Sequence, residues 1–412
     1  MPPQVKSLQM KKILFISQHF TPEFFRGNDI AADWARRGYD VTVVTGIPNY
    51  PKGKFFDGYG LFKRRREVVD GVKVIRIPIV PRGNGSKVML LLNFLSYGFN
   101  ASVFLFFHLI RHKYDVCFVQ QTSPVNMALP GIWFKRLTGK PLYCWVLDMW
   151  PESLKYAGHI DNKLILGYFG NIALQMFKAS DKILISSRGF EKCIISRGDF
   201  ADKIVYFPNW AEDVFTEGTE ISIPGLPKGF KVMFAGNVGE AQDFDHIAEA
   251  AEMLREEEEI KFVIVGDGRK REWLDQRIAE RGLANRIVTL GRFPAEAMPS
   301  FFKAADVMLV SLCDNELFRL TAPAKIQAYM AAGKPIVGMI SGEGNALIKD
   351  SGCGVAVEAG DAVGLVEAVR RLKGLPSSEL AAMGLRGRDY CRQNFDKKML
   401  MDKLGDVMGL EK

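Results

Sequence analysis

The chain has 412 residues, 48% of them hydrophobic and 25% charged, with a formal net charge of +8. That length and apolar content support two or more domains with cores of their own and exclude a disordered protein. Six scattered cysteines, Cys117, Cys144, Cys193, Cys313, Cys353 and Cys391, form no CxxC pair and have no histidine at metal-ligand spacing, which fits a reducing compartment.

Residues before Lys11 are polar, and the apolar run Ile13–Ser17 is too short for the core of a signal peptide, so a cytoplasmic location is expected. The charge is uneven. Residues 1–200 hold 28 Lys+Arg against 14 Asp+Glu (+14), while residues 201–412 hold 27 against 33 (−6). A basic half implies phosphate-bearing or polyanionic partners, or an anionic membrane surface.

In chain order, apolar runs at Lys11–Ser17, Val41–Gly46, Val72–Val80, Asp115–Gln121, Pro141–Asp148 and Asp181–Ser187 predict buried parallel strands. The first helix is expected from about Asn28, ending at a left-handed Gly38. Val88 to Ile110, flanked by Lys87 and by Arg111, His112 and Lys113, is long enough to cross a bilayer. Asn93, Ser96, Asn100, Ser102 and His108 interrupt it, so it is expected as a crossover helix on the sheet. Either its outer face touches lipid or it is wholly buried. The basic run Lys63 to Arg66 adds to the charge that favours an anionic inner leaflet, and no nucleic-acid recognition motif accompanies it.

A Pro/Gly-rich stretch, Pro224 to Phe230, precedes a second series of strands separated by helices. The expected architecture is α/β: two doubly wound, Rossmann-like parallel-sheet domains facing a central cleft. The expected limits are 1–209, a linker at 210–229, a second domain at 230–390 and a C-terminal helix at 391–412 packing back towards the first domain. A helix is expected at roughly 322 to 332, capped by Thr321, with Pro323 at its first position and Gly333 ending it. Lys325 in its first turn is a cation at the positive end of the dipole, so either an anion compensates it or it is an ordinary surface lysine.

Strand-end loops carry the candidate chemistry: His19 and Glu23 after the first strand, Asn49 and Tyr50 after the second, Asp148, Trp150 and Glu152 after the fifth. In the second half, Gly236, Asn237, Gly239 and Gln242, and then Gly266, close two strands, where glycine allows close approach of a ligand. There is no GxGxxG opening a helix and no GxxxxGK[ST]. Asp243-Phe-Asp245 falls at an expected helix start, where capping explains it better than metal binding.

With QHFTPE, TGIPNYPKG, LDMWPESL, PNWAEDVF, FAGNVGEAQD, VGDG, LGRF and PAKIQAYMAAGKPIV in order, the chain resembles the retaining family 4 glycosyltransferases of GT-B fold. The resemblance spans nearly the whole chain. It is strongest to the bacterial enzymes of O-antigen, capsule and exopolysaccharide synthesis, and especially to the fucosamine-type sugar transferases. It implies that a nucleotide diphosphate sugar, usually UDP-linked, binds the second domain and that the acceptor binds the first. Lys325, Ala324, Thr321 and the helix start would hold the diphosphate beside Gly236, Asn237, Gly239 and Gln242. Gly266, Arg292 and Phe293 would flank the base, with Arg319 a second cation. Asn49, Tyr50, Trp150 and Glu152 would take the acceptor, and Asp148 would activate it, with His19, Glu23 and Glu152 as rivals. No metal cofactor is implied.

Two glutamates usual in the family are matched by Leu320 and Ala328, and its usual Arg and Lys by Asn237 and Gln242; Gln327 is the candidate substitute for the lost carboxylate. The expected partners are a UDP sugar, a polyprenyl-diphosphate-linked acceptor and, through the basic first domain, the inner leaflet of the cytoplasmic membrane. The rival expectations are a UDP-sugar 2-epimerase of the same fold and a non-catalytic scaffold.

Overall fold

The computed structural model describes residues 10–156, 158, 160–212, 214 and 221–410. It divides into two units: Met1–Ser186 with Phe190–Phe207 and Met401–Lys412, and Ser187–Gly189 with Pro208–Leu400.

The first unit holds eight strands, β1 (Lys12–Ile16), β2 (Asp40–Gly46), β3 (Arg66–Val69), β4 (Val72–Ile77), β5 (Val116–Gln121), β6 (Leu142–Val146), β7 (Lys182–Ile185) and β8 (Ile204–Tyr206). Their order is β3-β4-β2-β1-β5-β6-β7-β8, parallel except for β3 against β4. The central strands are buried along almost their whole length because helices cover both faces: Ile13 to Ile16 are all 0% exposed. The order reverses between β1 and β5, so the β1 loop opens at the switch point, where doubly wound sheets bind ligands.

Two strands go beyond the expected set. β8 is three residues long, and β3 is an edge strand whose side chains alternate exposed and half-buried. Asp70 and Gly71, at φ 51° and 79°, make the two-residue turn joining β3 to β4. Asp-Gly between two strand-like runs is the sequence signal for that hairpin.

The first helix runs Arg26–Arg36, and Gly38 follows at φ 89° as expected. The long helix is Lys87–Arg111, and it turns its polar side inward. Asn93, Tyr97, Gly98 and His108 are buried, with the Tyr97 hydroxyl donating to Val44 O at 2.9 Å. Outward go Val88, Leu92, Leu95, Phe99, Val103, Phe106 and Ile110, a stripe at helical spacing that is 37 to 71% exposed. The wholly buried alternative is therefore wrong.

The second unit has six parallel strands, β9 (Phe230–Ala235), β10 (Ile260–Val265), β11 (Ile287–Gly291), β12 (Val307–Ser311), β13 (Ile336–Met339) and β14 (Gly354–Val357), in the order β11-β10-β9-β12-β13-β14. Counted within the unit this is 3-2-1-4-5-6, the dinucleotide-fold order, with its switch point between β9 and β12. Pro208 onward groups with this unit, and Ile221 N donates to Ser300 Oγ at 2.8 Å; residues 213 and 215–220 of the expected linker lie outside the described residues. The segment grouped with the first unit begins at Met401, ten residues later than position 391, and Asp402 pairs with Arg37 at 2.6 Å.

Candidate active site

In the second unit, after β12 and a short helix at Glu316–Arg319, the expected helix is Ala324–Ala331, starting later than expected because Pro323 (φ −63°, ψ 134°) is the N-cap rather than the first helical residue. Thr321 is not a cap: its hydroxyl turns back to donate to Leu317 O at 3.0 Å. No side chain caps this helix, and the first backbone closure runs from Ile326 N to Pro323 O at 2.9 Å. The N–H groups of Ala324 and Lys325 are left at the positive end of the dipole for water or a ligand.

Lys325 folds back over the β9 loop. Its Nζ donates to Gln242 Oε1 at 2.5 Å and lies 3.8 Å from the centroid of the Phe234 ring. No carboxylate pairs with it among the described residues, and burial alone lowers its pKa to about 7. An aromatic face and a neutral amide offset part of the cost of holding a cation there, and an anion would offset the rest. The resemblance places Gln242 beside Lys325, and the contact bears that neighbourhood out; Phe234 is the partner that the sequence reading did not name.

Glycines make the room. A Cβ on Gly236 (φ 145°) would lie 2.7 Å from Lys325 Cε, and a Cβ on Gly266 (φ 146°) would lie 1.8 Å from Gly236 O. Gly266→Ala therefore forces one backbone away from another, and a loss of about 3 kcal/mol is expected by denaturant titration. Asn237 Nδ2 lies where a Cβ on Gly239 would be 2.6 Å away, so these two positions share one turn with the lysine.

Other expected donor residues are placed elsewhere. Gln327 is buried, and with its amide turned so that the nitrogen faces the helix start it donates to Ala324 O at 3.3 Å and Pro323 O at 3.2 Å. Ala328 is 5% exposed in the core. Arg319 is paired with Asp314, at 2.7 Å through both Nε and Nη2. Arg292 is exposed, one residue past the end of β11, and Phe293 packs on Phe301 with centroids 4.7 Å apart. Asp243 does stand at a helix N-cap, yet its carboxylate meets His246 Nδ1 at 2.6 Å rather than a first-turn N–H. A cavity of about 900 Å³ beyond the other end of the Lys325 helix, lined by Gly333, Lys334 and Arg388 among others, contains none of the expected site residues.

In the first unit the β1 and β2 loops interlock through Glu23, which is 3% exposed. Its Oε1 accepts from the backbone N–H of Asn49 at 2.8 Å and of Tyr50 at 2.6 Å, and its Oε2 meets His19 Nδ1 at 2.9 Å. His19 Nε2 faces Arg82 Nη2 at 3.4 Å. A guanidinium only donates, so Nε2 accepts and the proton sits on Nδ1, directed at Glu23. The two contacts hold the His19 ring in one orientation. Asn49 is 0% exposed, and its Oδ1 accepts from Arg82 N at 3.1 Å and Asn93 Nδ2 at 3.5 Å, which makes it a bracket between loops. Tyr50 stays 40% exposed.

Asp148, after β6, is occupied by its own loop. Trp150 Nε1 donates to Oδ2 at 3.1 Å, and the Ser153 hydroxyl donates to Oδ1. Burial raises its pKa above the ordinary carboxylate value, while hydrogen bonds from Ser153, Trp150, Ser123 and the Met149 backbone oppose the rise. Trp150 is 4% exposed, and Glu152 forms an ion pair with Arg197. The Asp148 carboxylate is therefore taken up within its own loop while Arg197 ties down Trp150 and Glu152, whereas the His19–Glu23 pair belongs to a wider network at the switch point. Arg82, in a Pro/Gly loop after β4, is the member that sequence reasoning missed. Among the described residues no three His, Cys, Asp or Glu side chains are grouped to hold a metal ion.

Comparison with known proteins agrees with this architecture. A family model described as glycosyl transferase 4-like domain matches residues 27–210, and one described as glycosyl transferases group 1 matches residues 229–373. The chain is 25% identical, over 97% of its length and 100% of the relative, to the putative colanic acid biosynthesis glycosyl transferase WcaI of Escherichia coli (strain K12). Among solved structures it resembles sucrose-phosphate synthase from Thermosynechococcus elongatus (TM-score 0.74, 14% identity, 96% of this chain and 98% of that one). It also resembles Anabaena HepE in complex with UDP and glucose (TM-score 0.68, 16% identity, 97% and 99%). At such identities the solved structures establish the fold. The protein is a glycosyltransferase of GT-B fold. More particularly, its residues 229–373 are of the group 1 type, and the chain is similar to a putative transferase of colanic acid biosynthesis.

Proposed function

We propose that this enzyme moves a sugar from a UDP-linked donor, with retention of anomeric configuration, to a polyprenyl-diphosphate-linked glycan during bacterial surface polysaccharide synthesis. Lys325 carries the reading: a cation without a carboxylate partner among the described residues, at an uncapped helix start, on the switch point of a dinucleotide-type sheet. A diphosphate would supply the missing charge, and a preorganised lysine with backbone N–H groups would stabilise its departure. UDP is favoured because HepE, which shares the fold, was solved in complex with it. Retention rests on the resemblance to family 4.

The first unit would take the acceptor, with His19 and Tyr50 at its mouth. Its basic surface and the outward apolar stripe of Lys87–Arg111 would rest on the inner leaflet of the cytoplasmic membrane. Surface-polysaccharide synthesis is supported by the relation to WcaI.

A panel of UDP, GDP and TDP sugars, fucosamine-type donors among them, followed by transfer to extracted lipid-linked glycans tests this. Stabilisation by UDP sugars and a labelled lipid product are expected. No stabilisation by any donor would favour a scaffold, and product formed from donor alone would favour a 2-epimerase.

A further inference from the structure

Arg82 lies in the loop between β4 and the Lys87–Arg111 helix, with its guanidinium between the rings of Tyr50 (4.9 Å) and Phe94 (5.4 Å). Its side chain makes one hydrogen bond among the described residues, from Nη2 to His19 Nε2 at 3.4 Å. Its Nε is buried without a partner, and no carboxylate among the described residues pairs with it. Other arginines sunk into this unit are treated differently: Arg76 is paired with Glu67, Arg37 with Asp33 and Asp402, and Arg197 with Glu152. A guanidinium carries five N–H donors in a planar fork, so most of the Arg82 fork is unused.

The chain Glu23, His19, Arg82 explains how it is held. Glu23 fixes the His19 tautomer, and the lone pair of Nε2 fixes one edge of the guanidinium, while Tyr50 and Phe94 fix its plane. Burial lowers the Arg82 pKa from its ordinary value, and the nearby Tyr50 and Glu23 charges oppose this. A cation so placed is preorganised for an oxyanion with two oxygens in reach.

The surroundings select which oxyanion. Immediately before Arg82, the segment Pro78 to Pro81 walls an apolar cavity of about 350 Å³ together with Phe55 and Leu61. The helix that contributes Phe94 to Arg82 carries Leu91, Leu92 and Leu95 exposed on its outer side. A charged fork on the residue that follows the cavity wall at Pro81, beside a helix with an outward apolar stripe, fits an amphiphile with a phosphate head better than a wholly hydrophilic sugar acid.

We infer that Arg82 binds the phosphate of an isoprenoid phosphate or diphosphate, with the first isoprene units in the cavity beside Pro81; this rests on the lipid-linked acceptor proposed above. His19 and Glu23 then act as positioning residues for Arg82.

The probe is polyprenyl diphosphate in phosphatidylcholine vesicles, with co-sedimentation of the full chain and no donor present. Wild type is expected to bind doped vesicles at least tenfold more tightly than undoped ones, and the Arg82→Gln variant to lose that preference while keeping its UDP thermal shift. Arg82→Lys, which keeps the charge and loses the fork, is expected to recover only part of the preference and covers the case in which Arg82→Gln fails to fold. Vesicles doped instead with phosphatidylglycerol separate general anionic attraction from recognition of the isoprenoid phosphate. Equal binding to both dopings, or a preference untouched in both Arg82 variants, would overturn the inference. If wild type ignores polyprenyl diphosphate yet still transfers sugar to another acceptor, the lipid-linked reading fails as well. Transfer to lipid that survives in Arg82→Gln sinks the role of Arg82 alone.

Discussion

Replacing Lys325 with methionine is expected to weaken UDP binding by more than about 1.5 kcal/mol, roughly tenfold in Kd, because it removes a charge-assisted contact. Turnover is expected to fall by about 10² to 10³, the usual size of losing one donor that meets developing charge. The apo protein should not be weakened by the change. Methionine keeps most of the side-chain volume against Phe234 while removing a cation that no carboxylate among the described residues balances, so the unliganded variant is expected to unfold at the same or a higher denaturant concentration. A lysine that served only the fold would show the reverse: lower stability and unchanged nucleotide affinity.

The same residue sets a pH signature. Its pKa falls from 10.5 in the unfolded chain to about 7 in the folded one. Between those values the unfolded state binds the extra proton, so the apo protein gains stability as pH rises from about 7 towards 10.5, and the contribution is flat below that window. A bound diphosphate restores the charged form, so at a pH of about 8 UDP binding is expected to take up a proton. Titration calorimetry in two buffers of different ionisation enthalpy measures that uptake, and Lys325→Met should abolish it.

How much of this is legible in the sequence follows from how each feature is encoded. Twelve strands can be anticipated because a strand covered on both faces is a continuous apolar run, as in Ile13 to Ile16 or Phe262 to Val265. β3 escapes because an edge strand has one solvated side and breaks that run. Lys325 can be singled out from the helix start alone. Gln242 is placed beside it only by resemblance to the family, and Phe234 not at all: both arrive from β9 and the loop after it, and the sheet order brings them to the lysine. Gln327 shows the opposite failure, since one residue of helical phase decides whether it faces ligand or helix backbone. Asp148 follows a strand as a catalytic carboxylate would, yet nothing in its spacing reveals that Trp150 and Ser153 occupy it.

Glu23→Ala is the second change of large expected effect, because Glu23 is both a structural acceptor and the residue that orients His19. Its removal strands the backbone N–H groups of Asn49 and Tyr50 and the His19 Nδ1–H. A buried donor left unpaired costs about 1 to 3 kcal/mol, and with partial relaxation the first unit is expected to lose about 2 to 4 kcal/mol. Activity should fall further than stability explains. Glu23→Gln separates the two roles. Its carbonyl oxygen can still accept from the loop N–H groups, so the fold should stay within about 1 kcal/mol of wild type. Its NH2 group then opposes the Nδ1–H and drives the imidazole proton to Nε2, where it meets the Arg82 donors head-on. Nitrogen chemical shifts of the His19 ring would report that switch directly. A Glu23→Gln protein with the switched tautomer and wild-type turnover would reduce the Glu23, His19, Arg82 chain to packing. Loss of turnover with an intact fold would show that the enzyme depends on which ring nitrogen carries the proton.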